Sequence, residues 1–397
     1  MRGHAKTLIV VATVGALAGL APSSRAVPVF ARKYGFNCTM CHSSYPRLND
    51  FGQRFRRNGY RIPGRESVEK MVYEAQAPFA MRTSAGYNSE TYRNLPDATD
   101  VSQFQLNGLD VLSAGLLGPN AGYFAVYTPE IKGARGVAPQ TGMLESANVI
   151  LTAKNTTWFT ARIGRFEPAY AAFSVKRSLT VAPYEVYDFS SPNGVPFSDT
   201  QTGIEIAGWG RNGYRYAAGV VNGSGSNNDS DAPLDFYARG EKVFGSGEGQ
   251  TAGQRLGFTV YRGIARPGPG MTRKSFTRLG VDTSLNLGAW SLGAQFLHGE
   301  DHKDLWAADR TVTFDGGFAE LLYQPTTHIV GFARYDWVST PADLRAGVSR
   351  WTVGSRYYLE DSVAIHLEYS ARSQSPVSSG MGHATERLFT LRMDFGF

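Results

Sequence analysis

The chain has 397 residues, with 40 Lys and Arg against 34 Asp and Glu, and a formal net charge of +6. That charge is modest, includes residues at the N-terminus and specifies no partner; there is no nucleic-acid module, no phosphate-binding glycine loop and no nucleophile–base arrangement. Two cysteines exclude a disulfide framework, and no apolar stretch is long enough for a helical membrane span after the first twenty residues.

The N-terminus reads as an export signal. Arg2 and Lys6 precede an apolar run from Leu8 to Leu20, and Ser24-Arg25-Ala26 follows as an A-x-A-like cleavage site. Residues 1–26 are thus expected to be a signal peptide. In a bacterium this delivers the chain to the periplasm.

The next feature is Cys38-Thr39-Met40-Cys41-His42, which contains both cysteines of the chain. This is the C-x-x-C-H spacing of covalent c-type haem attachment. Two thiols at this spacing add to the two vinyl groups of one haem, and the following imidazole then lies under the iron. A redox dithiol needs a βαβ context, which is absent here, and a zinc site needs four ligands. The expected cofactor is therefore one covalent haem c held by Cys38 and Cys41, with His42 as iron ligand.

Residues 27–77 read as a small helical head around that motif. Pro46 is a helix start, with Leu48, Phe51 and Phe55 on one face and Asn58-Gly59 as the stop. A second helix is expected over Ser67 to Gln76, where Met71 is a candidate distal iron ligand. A methionine on an apolar stripe is more often core packing. Met81 and His366 are the remaining options.

Residues 78–397 read as a transmembrane barrel of about sixteen antiparallel strands. Val363, Ile365, Leu367 and Tyr369 share one face while His366, Glu368, Ser370 and Arg372 share the other. The last strand likewise alternates Phe389, Leu391, Met393, Phe395 and Phe397 with Thr390, Arg392 and Asp394. Strand starts are expected at Pro78, Val101, Ala121, Met143, Trp158, Gln201, Tyr214, Leu234, Arg255, Phe276, Trp290, Val312, His328, Arg350, Val363 and Glu386. Short turns such as Leu287-Gly288 alternate with long connections such as Glu167 to Thr200, which is read as extracellular. Arg162, Arg356, Arg372, Arg392, Asp336, Glu368 and Asp394 are expected to face the lumen, holding the head or forming an ordinary wet wall.

His298, Glu300, Asp301 and His302 form a candidate external iron site, because imidazole and carboxylate suit iron(II). Their spacing fits no fixed metal signature, and a solvated loop is the plainer reading.

Phe30-Ala31-Arg32-Lys33-Tyr34-Gly35, the haem motif, Tyr45-Pro46-Arg47-Leu48-Asn49-Asp50-Phe51-Gly52 and Asn58-Gly59-Tyr60 resemble the fused monohaem cytochrome–porins of the bacterial outer membrane. The best-known members belong to iron-oxidising bacteria. The resemblance implies electron transfer through the haem between an extracellular redox partner, with Fe(II) leading, and a periplasmic cytochrome or other electron carrier. Outer-membrane lipids would surround the barrel. Electron export to external acceptors, or a transport porin with a cytochrome plug or sensor, are the alternatives. Any enzymatic label would be iron(II):cytochrome c oxidoreductase.

Overall fold

The computed structural model describes residues 29–62, 78–95, 98–131, 142–153, 156–170, 173–176, 178–191, 193–194, 196–210, 212–224, 233–244, 254–265, 274–302, 310–341, 347–375 and 383–396. The expected signal peptide, the helix expected over Ser67 to Gln76, Met71 and Phe397 lie outside them.

The N-terminal segment holds helix α1 (Val29–Tyr34), a 3-10 turn (Cys38–Met40), strands β1 (His42–Ser44) and β2 (Arg47–Leu48), and helix α2 (Asp50–Arg57). The helix starts later than Pro46 implies. Arg47 and Leu48 pair with Ser44 and His42 in a two-stranded ladder, and Asn49 caps α2 by accepting a hydrogen bond from the Gly52 amide. At the other end Gly59 takes φ +65°, as a helix stop requires.

Sixteen strands follow. They are β3 (Phe79–Arg93), β4 (Val101–Gly118), β5 (Ala121–Thr128), β6 (Met143–Thr152), β7 (Thr160–Phe166), β8 (Gln201–Trp209), β9 (Tyr214–Val221) and β10 (Asp235–Phe244). The second half comprises β11 (Gln254–Ala265), β12 (Lys274–Leu287), β13 (Trp290–Asp301), β14 (Val312–Tyr323), β15 (Ile329–Ser339), β16 (Val348–Glu360), β17 (Val363–Gln374) and β18 (Ala384–Gly396). Each strand pairs antiparallel with its neighbour in sequence. The barrel closes where β18 pairs with β3, from Thr385 opposite Arg93 to Gly396 opposite Arg82. Closure removes both sheet edges, so no backbone row is left unpaired towards lipid.

Alternation turns the usual sidedness of a protein inside out. On β17, His366 and Glu368 are fully buried while Leu367 and Tyr369 are 41% and 42% exposed. Phe104, Phe236, Phe258, Leu285, Phe296 and Trp351 are likewise exposed. An apolar exterior around a polar interior suits a bilayer, whose hydrocarbon band is about 25 Å tall for such barrels.

One connection departs from the expected layout. The described residues between 167 and 200, a stretch read above as an extracellular loop, fold into the lumen and include the short helix α3 (Glu185–Asp188). Tyr170, Leu179, Ala182, Tyr184, Val186 and Tyr187 of this insert are buried. Tyr184 packs on Phe318 of β14 at a ring separation of 4.4 Å. The physical reason lies in the wall. Glu368 accepts hydrogen bonds from the Val181 and Ala182 amides, both at 2.7 Å. Arg334 donates to the carbonyls of Ala182 (2.8 Å) and Pro183 (2.6 Å), and Glu185 accepts from Arg350 (2.6 Å) and Arg372 (3.0 Å). The buried wall charges thus find their partners in the insert, as burial demands.

Candidate cofactor site in the barrel lumen

The N-terminal segment docks in the same lumen, towards the end with short turns. Arg61 donates to the Pro119 carbonyl and to Thr152, beside the turns that follow β4 and β6. Arg356 and Tyr358 of β16 donate to the Tyr45 carbonyl at 2.9 and 2.8 Å. Arg47 pairs with Glu320 at 2.9 Å, and Asp50 with Arg215 of β9. An apolar seam completes the contact: Phe30 stacks on Tyr60 and Tyr60 on Phe124 of the wall, with Phe55 and Ile150 in the same cluster. At Gly122 a Cβ would strike the Gly59 carbonyl, so glycine there permits the close approach.

Between this segment and the insert lies a cavity of about 350 Å³. Cys38, Cys41 and His42 line one side; Phe173, Leu179 and Tyr184 of the insert line another. The volume falls within the roughly 300–1,000 Å³ common to pockets for organic ligands. The two cysteines are not bonded to each other. Burial pushes both thiols up to about 11, with Asp361 contributing at Cys38. Thiols that stay protonated at neutral pH are poor redox dithiols, which need a lowered value.

His42 is held in one tautomer and one orientation. Its Nδ1 lies 3.1 Å from the Pro46 carbonyl, which can only accept, so this nitrogen carries the proton. Nε2 is then left with its lone pair. Burial lowers the imidazole to about 4, with the backbone contacts opposing, so the ring is neutral at pH 7. The attachment loop is fixed from below by Asn49. Its Nδ2 donates to the Thr39 and Met40 carbonyls at 3.2 and 3.0 Å, while its backbone amide donates to the Cys41 carbonyl at 2.9 Å. Gly52 lets α2 pass this close, since a Cβ there would collide with the Cys41 carbonyl. Paired thiols, a neutral imidazole with a free nitrogen and a lumen cavity before them fit the haem c that the motif implies.

The remaining sequence-derived residues fall elsewhere. Met81 lies on the face of β3 opposite Ala80, and Ala80 is the one that lines the cavity. His366 is buried in the wall with Nε2 3.0 Å from Glu368, and is not among the cavity's lining residues. Strand alternation splits the external set. Asp301 turns inward to Arg278 (2.6 Å) and the Asn193 amide (3.1 Å). His298 pairs outside with Asp315 at 2.8 Å, and His302 lies 3.5 Å from Glu300. Among the described residues no group of three or more His, Cys, Asp or Glu side chains converges as a metal site.

The lumen charges expected from alternation are present and paired. Arg162 meets Glu205 at 2.5 Å, Asp336 meets Arg334 at 2.7 Å, and Asp394 takes both Arg356 and Arg392. Sequence reasoning missed Phe173, Leu179 and Tyr184 as cavity residues. The signal was there: a supposed external loop carrying Tyr170, Phe173, Tyr184, Tyr187, Phe189 and Phe197 is too aromatic to be solvated.

This arrangement can be set beside known structures. The anion-selective porin from Comamonas acidovorans superimposes with a TM-score of 0.59 at 10% identity, covering 80% of this chain and 99% of that one. The fold is that of an outer-membrane porin. The outer membrane channel DcaP of Acinetobacter baumannii gives 0.59 at 9% identity, covering 80% and 95%. OprB of Pseudomonas putida gives 0.57 at 9%, covering 80% and 94%. At such identities the likeness is one of barrel architecture. No family model matches the sequence, and no curated protein matches it.

Proposed function

We propose that this chain is an integral outer-membrane protein that passes electrons across the membrane through one haem c attached at Cys38 and Cys41 and ligated by His42. The observation that carries the reading is the position of the C-x-x-C-H segment. It faces a lumen cavity, with the insert on the long-loop side and the N-terminal segment on the short-turn side. By the usual orientation of such barrels these are the extracellular and periplasmic sides.

A bound haem would supply a one-electron carrier inside a barrier that soluble carriers cannot cross. The protein's own residues do the rest. His42 offers a neutral nitrogen, fixed through Pro46. Asn49 holds the loop that carries the thiols. Phe173, Leu179 and Tyr184 shield the cavity from the long-loop side, and such burial is one of the levers that set a haem potential. The external donor, with iron(II) the leading candidate, and a periplasmic cytochrome or similar acceptor follow from the resemblance noted above. Iron(II) mixed with oxidised protein in stopped flow should reduce the haem rapidly. A haem that stays oxidised in excess iron(II) but, once reduced by dithionite, passes its electron to external ferric complexes would reverse the direction.

A second reading is a transport porin in which residues 29–62 act as a plug or sensor. The barrel likeness to an anion-selective porin and to an outer-membrane channel favours it. The two readings differ in ion current: the conduit needs a sealed lumen, whereas a porin needs an open one.

A further inference from the structure

The turn between β1 and β2 is fastened to the barrel on both sides. Its Tyr45 carbonyl accepts two hydrogen bonds from the lumen face of β16, from Arg356 Nη1 at 2.9 Å and Tyr358 Oη at 2.8 Å. Arg356 is itself held by Asp394 of β18, which also binds Arg392 at 2.8 Å. The Tyr45 ring packs against the cluster formed by Leu322, Val330, Phe332 and Ala364 of the wall with Leu179 of the insert. Two residues on, Arg47 donates to Glu320 of β14 at 2.9 Å. Tyr184 of the insert donates to the other oxygen of that carboxylate, also at 2.9 Å.

Pro46 lies between these two anchors, and its carbonyl is the acceptor for His42 Nδ1 at 3.1 Å. Proline has a fixed φ, so a Tyr45 carbonyl held in place leaves the Pro46 carbonyl a single soft torsion. The Arg47–Ser44 and Leu48–His42 pairs of the ladder, with the Arg47–Glu320 bond, restrict that torsion as well. The imidazole also meets the Tyr45 ring edge-on, at 5.0 Å between centroids and 63° between planes. The wall thus places both the acceptor and the neighbouring ring that orient His42. Arg356 and Tyr358 are not among the residues that line the cavity, so their influence on its contents runs through this turn.

We propose that Arg356 and Tyr358 are positioning residues for His42, acting through the Tyr45–Pro46 backbone, an inference that rests on the haem reading above. From the barrel side they aim the Pro46 carbonyl at the Nδ1 proton. A hydrogen bond to the far nitrogen of a ligating imidazole makes that imidazole a stronger donor to its metal. A stronger donor stabilises the ferric ion, so a well-aimed Pro46 carbonyl holds the haem potential down. Loosening the turn from the wall weakens that aim. The haem potential is then a property of the docked segment and barrel together, and not of residues 29–62 alone.

The test is a potentiometric titration of the full-length, haem-loaded protein, with EPR spectra of its ferric form. Tyr358→Phe removes one donor without altering charge. Arg356→Lys keeps the charge but loses the fork that spans Asp394 and the Tyr45 carbonyl. Each should raise the midpoint potential and shift the ferric g values, which report the orientation and donor strength of the axial imidazole. The double variant should shift both further. Tyr261→Phe, which removes a hydroxyl bonded to Asp235 at 2.6 Å, should leave both unchanged. Potentials and g values of the Arg356 and Tyr358 variants that overlay the wild type would overturn the proposal. So would an equal shift in Tyr261→Phe, which means a general loosening of the lumen. If Arg356→Lys fails to assemble, Tyr358→Phe reads the same quantity. Wild-type protein without haem would overturn the reading underneath, whereas haem with an unmoved potential overturns only the positioning role.

Discussion

Replacing both thiols, Cys38→Ser with Cys41→Ser, should abolish the covalent haem absorbance while leaving a folded barrel. The loss should be complete rather than partial, because no other cysteine exists in the chain to form a thioether. The barrel should survive because its ladder runs unbroken from β3 to β18 without residues 38–42. The docking of the N-terminal segment should also largely persist. It is held by Arg47–Glu320, Asp50–Arg215 and the Phe30–Tyr60–Phe124 stack, none of which uses the thiols. His42→Ala should instead keep the thioethers and change the spectrum to that of a haem lacking its proximal imidazole. Heme stain and visible spectra on purified, heat-modifiable protein check all three. A wild-type protein with no haem, made in a host that matures c-type cytochromes, would contradict the account.

The second large effect concerns the insert. Arg334 is fully buried, binds Asp336 at 2.7 Å and holds the Ala182 and Pro183 carbonyls. Glu368, also fully buried, holds the Val181 and Ala182 amides. Hydrogen bonds from charged groups such as these contribute about 1.5–3 kcal/mol each, and truncating both side chains removes them from the docked insert together. At about 1.4 kcal/mol per decade, that shifts the docked–released equilibrium of the insert by about two or more orders of magnitude. Arg334→Ala combined with Glu368→Ala should therefore raise single-channel conductance several-fold in planar bilayers, with the barrel's heat-modifiable migration preserved. Conductance equal to wild type would mean that the insert does not seal the lumen.

How far the sequence carries this structure depends on which residues one asks about. All sixteen barrel strands begin within two residues of the expected positions, Val101, Ala121, Met143, Gln201, Tyr214, Trp290, Val312 and Val363 among them without any shift. Dyad alternation is a local property, and a closed antiparallel barrel makes nearly every contact between neighbours in sequence, so local signals suffice. The 167–200 insert is the opposite case. Its place in the lumen is decided by Glu368, Arg334 and Arg350, which are far away in the chain. A loop of that length is uncommon unless it is functional, and its six aromatic residues point the same way.

The candidate site divides along the same line. Cys38, Cys41 and His42, which line one side of the cavity, stand out in the sequence because the motif is defined by spacing alone. The helix start was misread at Pro46 because the Asn49 cap, which decides it, competes with proline as a start signal. The cavity's arginines were legible only in part. Arg57 is visible as a basic residue on α2, but its relation to Arg239 and Arg255 exists only once the segment is docked between β9 and β11.

The central claim is that electrons, and not bulk ions, cross this barrel. It is tested most directly by reconstituting the full-length, haem-loaded protein in liposomes that enclose an oxidised, membrane-impermeant cytochrome, with iron(II) outside and a parallel conductance record. The account predicts reduction of the enclosed cytochrome at a rate that depends on His42, through vesicles that remain tight to small ions. Vesicles that leak ions freely while the enclosed cytochrome stays oxidised would contradict it and leave a transport porin.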